Sequence, residues 1–481
     1  MRRIIIGSAL LGMSMPLYAQ ELPITTQNQE AKTLFIEGRQ LFDNIRFDEA
    51  REVFDQAIQQ DPEFALANLY RALASTTDDT FNRYLGKAVS AKSEVSDGER
   101  MLIESMKSNA DNQPMKAISS LKNALVQYPD DKRLYHVLGL AYQGVNNSQE
   151  AERQYRAAID LEADFAPPYN NLGYLYREQQ NYTQAEKAFK NYIRLLPTEA
   201  NPHDSIGDLY TKMGDHKLAI EHYEKALALN PKFYFSRQKI GDNLIFQGQF
   251  TEGRNAYAQA MSIAPAATNR IMMQQALANT YLFENNYPRA VEEHKTAIRL
   301  SNQEKLPENA ATLYQMLAFM QIEYGDFDRA EEALKASDEI VNNHTLTNNR
   351  THSLAIWSLK NNALKAAKQG DWTTATQKAE KLKQQAEQTM NPNEMETYYL
   401  VAGVTAFEKG DYATAIEELK RSSFNSPYAQ FYLAQSYQQT DKPADAQAIY
   451  EKVAQWNENT LEYGLVRNKA RSAAKMEMVV E

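Results

Sequence analysis

Three serines stand one helical turn before a lysine: Ser119/Lys122, Ser236/Lys239 and Ser472/Lys475. That spacing can pair a serine nucleophile with its base. The Ser-Asp-Asn and Lys-Thr-Gly elements that complete such an acyl-transfer site are missing from the chain. Three occurrences in a lysine-rich helical sequence are what chance supplies. The seven histidines form no i, i+4 pair and no His-Glu-x-x-His motif. His344 and His352 fall near one another but lack an acidic third ligand, which makes a poor zinc site. There is no glycine-rich phosphate cradle and no G-x-S-x-G elbow. The absence of cysteine removes thiolate nucleophiles, thiolate metal ligands and disulfides. Carboxylate pairs occur on every polar helix face and specify nothing. The residues therefore point to no catalytic site, no metal and no cofactor, and the expected chemistry is binding.

The elements that would carry a binding surface are legible around Tyr169–Pro197. Tyr169, Leu172, Gly173 and Tyr176, then Ala185, Phe189 and Tyr192, each fall at the three-to-four-residue spacing of one helix face. A polar turn, 179–181, separates the two sets, and Pro197 closes the second helix. This helical hairpin recurs. Ala117, Ala151, Ala185 and Ala219 are each 34 residues apart, and Gly253 continues the series. Leu138-Gly139, Leu172-Gly173, Ile206-Gly207 and Ile240-Gly241 keep step with it. So do the rings of Tyr155, Phe189, Tyr223 and Tyr257, and the closing prolines Pro129, Pro197, Pro231 and Pro265. A small residue at the alanine position lets paired helices approach, so Gly173 and Ala185 are expected at the closest contact. One hairpin cannot cover its own apolar face, so neighbours must stack.

The pattern resembles the tetratricopeptide repeat, W-x2-L-G-x2-Y…A-x3-F…P, in four consecutive units. The tryptophan position carries Tyr135, Tyr169, His203 and Arg237 instead. The resemblance implies an all-α, right-handed superhelical solenoid of about twelve antiparallel helix pairs. Of the 28 tyrosines, Tyr142, Tyr155, Tyr176, Tyr210, Tyr223, Tyr257, Tyr281, Tyr437 and Tyr450 stand at repeat core positions and are expected in the core and not on a ligand surface.

Regular repeats are expected over residues 30–265, with a degenerate unit at 65–97 whose turn is 76–79. Ser96 and Glu99 have the spacing of a capping box. Longer, irregular hairpins are expected over 266–460, marked by Gly325-Asp326, Gly370-Asp371 and Gly410-Asp411. Glycine there suits a left-handed helix end and aspartate the next helix start, with Asn146 and Asn285 standing in for glycine elsewhere. The extra residues of this half call for longer helices or longer connections. NNHTLTNNRT, 342–351, is the most loop-like stretch, a floppy connection or a divide between two arms. Residues 461–475 read as a capping helix wetted by Arg467, Lys469, Arg471 and Lys475, and 476–481 as a tail.

Residues 1–19 read as a Sec-type secretory signal: Arg2 and Arg3, an apolar run from Ile4 to Tyr18, and small Ala19 at the cleavage point. Residues 20–29 would be a flexible leader. The run is too short for a membrane anchor, so no span is expected after cleavage. A cysteine-free exported chain suits an oxidising compartment, periplasmic or extracellular. The net charge of −10 and the lack of a basic stripe argue against nucleic acid.

In the repeat family the first helix of each hairpin lines a concave groove. Carried onto this sequence, the groove positions are Asn170, Tyr174, Arg177, Asp204, Asp208, Gln238, Asp242, Gln275 and Asn279. The aspartates argue against the acidic chaperone tails that lysine- and asparagine-lined members clamp. The amides suit an extended peptide backbone, and Asp204, Asp208 and Asp242 would form one acidic patch for a basic or amide-rich segment. The competing reading is that all of these are solvated helix sides. The expected function is that of a non-catalytic, exported scaffold for protein or peptide partners, for example in envelope assembly or secretion. The alternative is a small-ligand (glycan) binder, although glycan-capture proteins with similar repeats carry a lipid-anchoring cysteine and insertions absent here. The oligomeric state is open.

Overall fold

The computed structural model describes residues 21–476. The signal segment 1–19 and the tail residues 477–481 lie outside the described residues. The described residues hold 25 α-helices, one short 3₁₀ turn and no strands.

Helices pair as antiparallel hairpins. The first four pairs are α1 (Gln29–Asp43) with α2 (Phe47–Gln60), α3 (Ala65–Leu73) with α4 (Asp78–Ser90), α5 (Asp97–Ala110) with α6 (Pro114–Gln127), and α7 (Lys132–Gly144) with α8 (Ser148–Leu161). The next four are α9 (Pro167–Glu178) with α10 (Tyr182–Leu195), α11 (Ala200–Met213) with α12 (His216–Leu229), α13 (Tyr234–Phe246) with α14 (Phe250–Ile263), and α15 (Ala267–Phe283) with α16 (Tyr287–Gln303). The last four are α17 (Pro307–Glu323) with α18 (Phe327–Asn343), α19 (Asn348–Lys368) with α20 (Trp372–Thr389), α21 (Pro392–Glu408) with α22 (Tyr412–Arg421), and α23 (Pro427–Gln438) with α24 (Pro443–Ala454). A single helix, α25 (Leu461–Ala473), follows.

Turn chemistry sets the hairpin ends. Gly214, Gly325, Gly370 and Gly410 take φ between 76° and 83°, and Asn146 and Asn285 take 57° and 59°. Asp215, Asp371 and Asp411 accept from the amides of the following helix, whereas Asp326 makes no such bond. Ser96 and Glu99 form the capping box. Second helices stop two residues before Pro129, Pro197, Pro231 and Pro265, because the residue before proline is pushed out of the helical region.

The glycine contact differs from expectation in its partner. A Cβ on Gly173 would lie 2.4 Å from the Phe189 ring, and Gly139 and Gly207 face Tyr155 and Tyr223 in the same way. The glycine makes room for the ring one turn beyond the alanine; Ala185 is fully buried beside it. In the α13–α14 pair the two small positions meet, Gly253 against the Gly241 carbonyl.

Three further expectations are corrected, and of the two ways to place the extra residues one is chosen. The leader is not free. Residues 21–28 form no regular element but are tied down, with Leu22 N donating to Asp131 Oδ2 (2.8 Å) and Thr25 N to Glu99 Oε1 (2.8 Å). The loop at 342–351 shrinks to residues 344–347 between α18 and α19. The extra residues of the second half went into helix length: α15 to α21 have 17 to 21 residues each, where most earlier helices have 12 to 15. Finally, α25 is only partly wetted, with Lys469 exposed but Arg467 enclosed. Its Arg467 is 2% exposed, and the helix packs on α15 and α17 as well as on α23 and α24.

That last contact closes the chain on itself. Trp456 and Tyr463 share an apolar cluster with Ile245, Phe246, Tyr257 and Phe283. At a second place Arg350 and Thr347, at the start of α19, reach Asp78 at the start of α4 (3.3 Å each). Asn112 Nδ2 donates to Glu394 Oε1 (3.0 Å), and Asn146 bonds Asn393. Asn112 and Asn146 are both left-handed turn residues, so the residues that close two hairpins also dock the far arm.

Candidate functional site

The positions expected to line the groove lie on the first helices α9, α11, α13 and α15, and those on α9, α11 and α13 recur every 34 residues. The polar groups there are engaged with one another. Lys239 Nζ bridges Asp204 Oδ2 (2.6 Å) and Asp208 Oδ2 (2.8 Å). Asp204 is 3% exposed and also accepts from Ser236 Oγ (2.7 Å). Asp208 accepts from the hydroxyls of Tyr174 and Tyr223, each at 2.8 Å. Arg177 lies over the Tyr174 ring, 4.8 Å from its centroid, and bonds Glu178.

Electrostatics follow from this packing. Burial raises the Asp204 pKa, and Lys239 only partly offsets it. Burial also pushes Asp208 upward, but Lys239 and Arg177 outweigh it and hold the group below the usual carboxylate range. Lys239 is raised: burial favours its neutral form, and the two carboxylates more than reverse that. Lys239 thus neutralises much of the acidic patch expected at Asp204 and Asp208.

Asp242 stands apart. Burial pushes it up to about 6, against hydrogen bonds from Tyr257 and Asn459. Asn459 comes from the connector between α24 and α25. Its amide nitrogen lies 2.9 Å from Asp242 Oδ1 and 3.0 Å from the Ala276 carbonyl, and also bonds the Tyr257 hydroxyl. Next to it Glu458 pairs with Lys212, whose ammonium lies 4.5 Å from the Trp456 ring centroid. Residues 457–460 line one cavity of about 260 Å³ together with Arg177, Asp208, Lys239 and Asp242. The middle of the groove therefore holds an extended segment of its own chain.

Of the remaining positions expected on the wall, Gln238 and Gln275 are half-buried on α13 and α15. Asn170 is half-buried on α9, with its carbonyl oxygen enclosed and unpartnered. Asn279 is 1% exposed and faces the buried His294 ring (3.4 Å). The structure brings Tyr174, Arg177, Asp204 and Asp208 into one network, sets Asp242 in a separate one with Tyr257 and Asn459, and leaves Asn170, Gln238, Gln275 and Asn279 outside both. Sequence reasoning missed Lys239 and Asn459. A signal for the first was present, since Lys239 stands one turn beyond Ser236 on the helix facing both aspartates. Nothing local marks Asn459.

Family models described as tetratricopeptide repeat match residues 37–77, 132–165, 164–232 and 428–455. The chain is a tetratricopeptide-repeat protein. Proteins of this family are interaction scaffolds that bind proteins or peptides and are generally non-catalytic. Among solved structures, this repeat protein is similar to MamA from Desulfovibrio magneticus RS-1 at 16% identity, with a TM-score of 0.31, over 35% of this chain and 95% of that one. It is similar to a tetratricopeptide repeat protein from Parabacteroides merdae at 15% identity, with a TM-score of 0.35, over 59% and 98%. YrrB, a TPR protein with an unusual peptide-binding site, is 22% identical, with a TM-score of 0.27, over 39% and 94%. No curated protein matches the chain. Among the described residues no helix is long and apolar enough to cross a membrane.

Proposed function

We propose that this tetratricopeptide-repeat protein is a non-catalytic, exported scaffold whose concave wall takes an extended segment of a protein or peptide partner, in cell-envelope assembly or secretion. One observation carries the reading: the wall already grips such a segment. The Asn459 amide meets a carboxylate, a phenol and a main-chain carbonyl supplied by three successive helices. An amide-bearing strand of a partner presents the same donors. Export is supported by Arg2, Arg3, the apolar run and Ala19, together with the lack of cysteine.

A photo-crosslinking residue at Gln238 or Gln275, on the wall, should capture partners in intact cells. Asn459→Ala, which loosens the resident segment, should raise the yield. Capture only from the outer helices, with none from the wall, would move the binding surface elsewhere. N-terminal sequencing of the mature protein should begin at Gln20, and an uncleaved cytoplasmic product would end the export reading.

A further inference from the structure

A cavity of about 590 Å³ lies where the two arms meet. The hairpin turns after α9 and α11 form one side, and the end of α24, its connector and α25 form the other. Its walls carry Lys212, Lys452, Arg467 and Arg471, with Trp456 and Tyr463 beside them. The acids nearby are spoken for. Glu178, which also lines the cavity, bonds Arg177, and Glu458 bonds Lys212.

Two of the cations have no carboxylate partner among the described residues. Arg467 is 2% exposed, and its neighbours are the Phe283 ring (5.3 Å), Tyr463 and the Asn468 side-chain oxygen (3.4 Å). Lys452 touches the Phe424 ring and lies 6.0 Å from that of Trp456. Its pKa falls to about 8, chiefly through burial and further through Lys212. A buried cation without a counterion is costly, and clustering like charges adds to the cost. The chain has 62 acidic residues against 52 basic ones, so acids were not scarce. Arg467 and Lys452, beside open space and without a carboxylate partner among the described residues, are arranged for an anion.

We infer that this inter-arm cavity is a binding site for a small dianionic oxyanion, a phosphate ester or a dicarboxylate, held by Arg467 and Lys452. The guanidinium offers a planar fork to two oxygens, and the ammonium a point charge. The cavity volume suits a small metabolite. Because the walls come from both arms, an occupant would also tie the 456–463 segment to the turn at 212–216.

The test titrates the full mature chain with inorganic phosphate and, separately, succinate, at ionic strength held constant with sodium chloride. A saturable rise in melting temperature is expected with at least one of them, and their relative effect separates the phosphate from the dicarboxylate class. Hydrogen exchange should slow in residues 456–463 and 212–216 together. Lys452→Gln and Arg467→Gln should each weaken binding about tenfold or more, the scale of one lost charge-assisted contact. Lys469→Gln, exposed on the same helix but outside the cavity, should leave it unchanged. If Arg467→Gln fails to fold, Lys452→Gln decides alone. The inference falls if neither anion gives a saturable shift, or if all three variants respond like the wild type, since that is the signature of general salt stabilisation.

Discussion

A phenolic hydroxyl inside a repeat must find a partner, and this decides the residue that follows the repeat glycine. Tyr223 and Tyr257 bond Asp208 and Asp242, which stand directly after Gly207 and Gly241. Phe189 has no hydroxyl, and Tyr174 follows its glycine instead, edge-on to the ring at 5.2 Å. Tyr155, with Leu140 after its glycine, turns to Gln143 (2.7 Å). Two of the three groove aspartates thus complete the core as well as face the groove. His294 gives the residue-scale prediction. It is fully buried, and burial pushes its pKa down to about 4. An unfolded histidine titrates near 6.5, so between the two values the unfolded chain binds the extra proton. Stability from this site is complete above about 6.5 and is lost as the pH falls toward 4, on the order of 3 kcal/mol in full. Melting curves from pH 7 to pH 4 should be flatter for His294→Gln than for the wild type, and parallel curves would mean that the ring is not buried neutral.

At the scale of elements, the connector 455–460 does more than join α24 to α25. It carries Trp456 into the cluster beneath α13 and α15 and Asn459 onto the wall. Helix α25 then continues the contact: its Asn468 amide reaches the carbonyls of Leu282 and Phe283 at the end of α15 (3.0 and 3.1 Å). Those carbonyls close a helix end and would otherwise depend on water. Asn459→Ala removes three bonds and leaves the Ala276 carbonyl without this donor, a cost of about 1–3 kcal/mol. Because repeats couple to their neighbours, the change should appear locally first. Amide exchange should quicken in 456–463 and in α15 while α1 to α8 stay as protected as before. Uniform loosening of the chain would show that the connector is part of one global unit.

At the scale of the molecule, the fold-back has two unlike seams. The α15–α25 seam is an apolar cluster bordered by the Asn468 hydrogen bonds. The seam between α4, the turns at 111–113 and 145–147, and the starts of α19 and α21 is polar, made of Asp78, Asn112, Asn146, Arg350, Asn393 and Glu394. Its Asn146–Asn393 contact is exposed and the others are part-buried, and polar contacts open to water hold weakly and are screened by salt. Asp78→Ala, Asn112→Ala and Asn146→Ala together should enlarge the radius of gyration in small-angle scattering, with circular dichroism unchanged. An unaltered radius would mean that the apolar seam alone keeps the arms together. Replacing Asp204 and Asp208, in contrast, is no clean test of the groove, because it strands the Lys239 charge.

What the sequence determined by itself is whatever repeats or lies within a turn. The hairpins, their caps, the glycine–ring register and the twelve pairs follow from residues a few positions apart, and a spacing of 34 repeated in step leaves little freedom. Two rows of the expected wall positions, Asn170, Asp204 and Gln238 and then Tyr174, Asp208 and Asp242, keep the same register. The sequence did not mark what covers the wall. Asn459 meets Asp242 across 217 residues, and Asn112 meets Glu394 across 282. Such meetings depend on small rotations between neighbouring repeats, accumulated over many hairpins and altered where α15 to α21 lengthen. No residue encodes that sum, so the occupied groove, the buried Arg467 and the cavity between the arms belong to the tertiary structure alone.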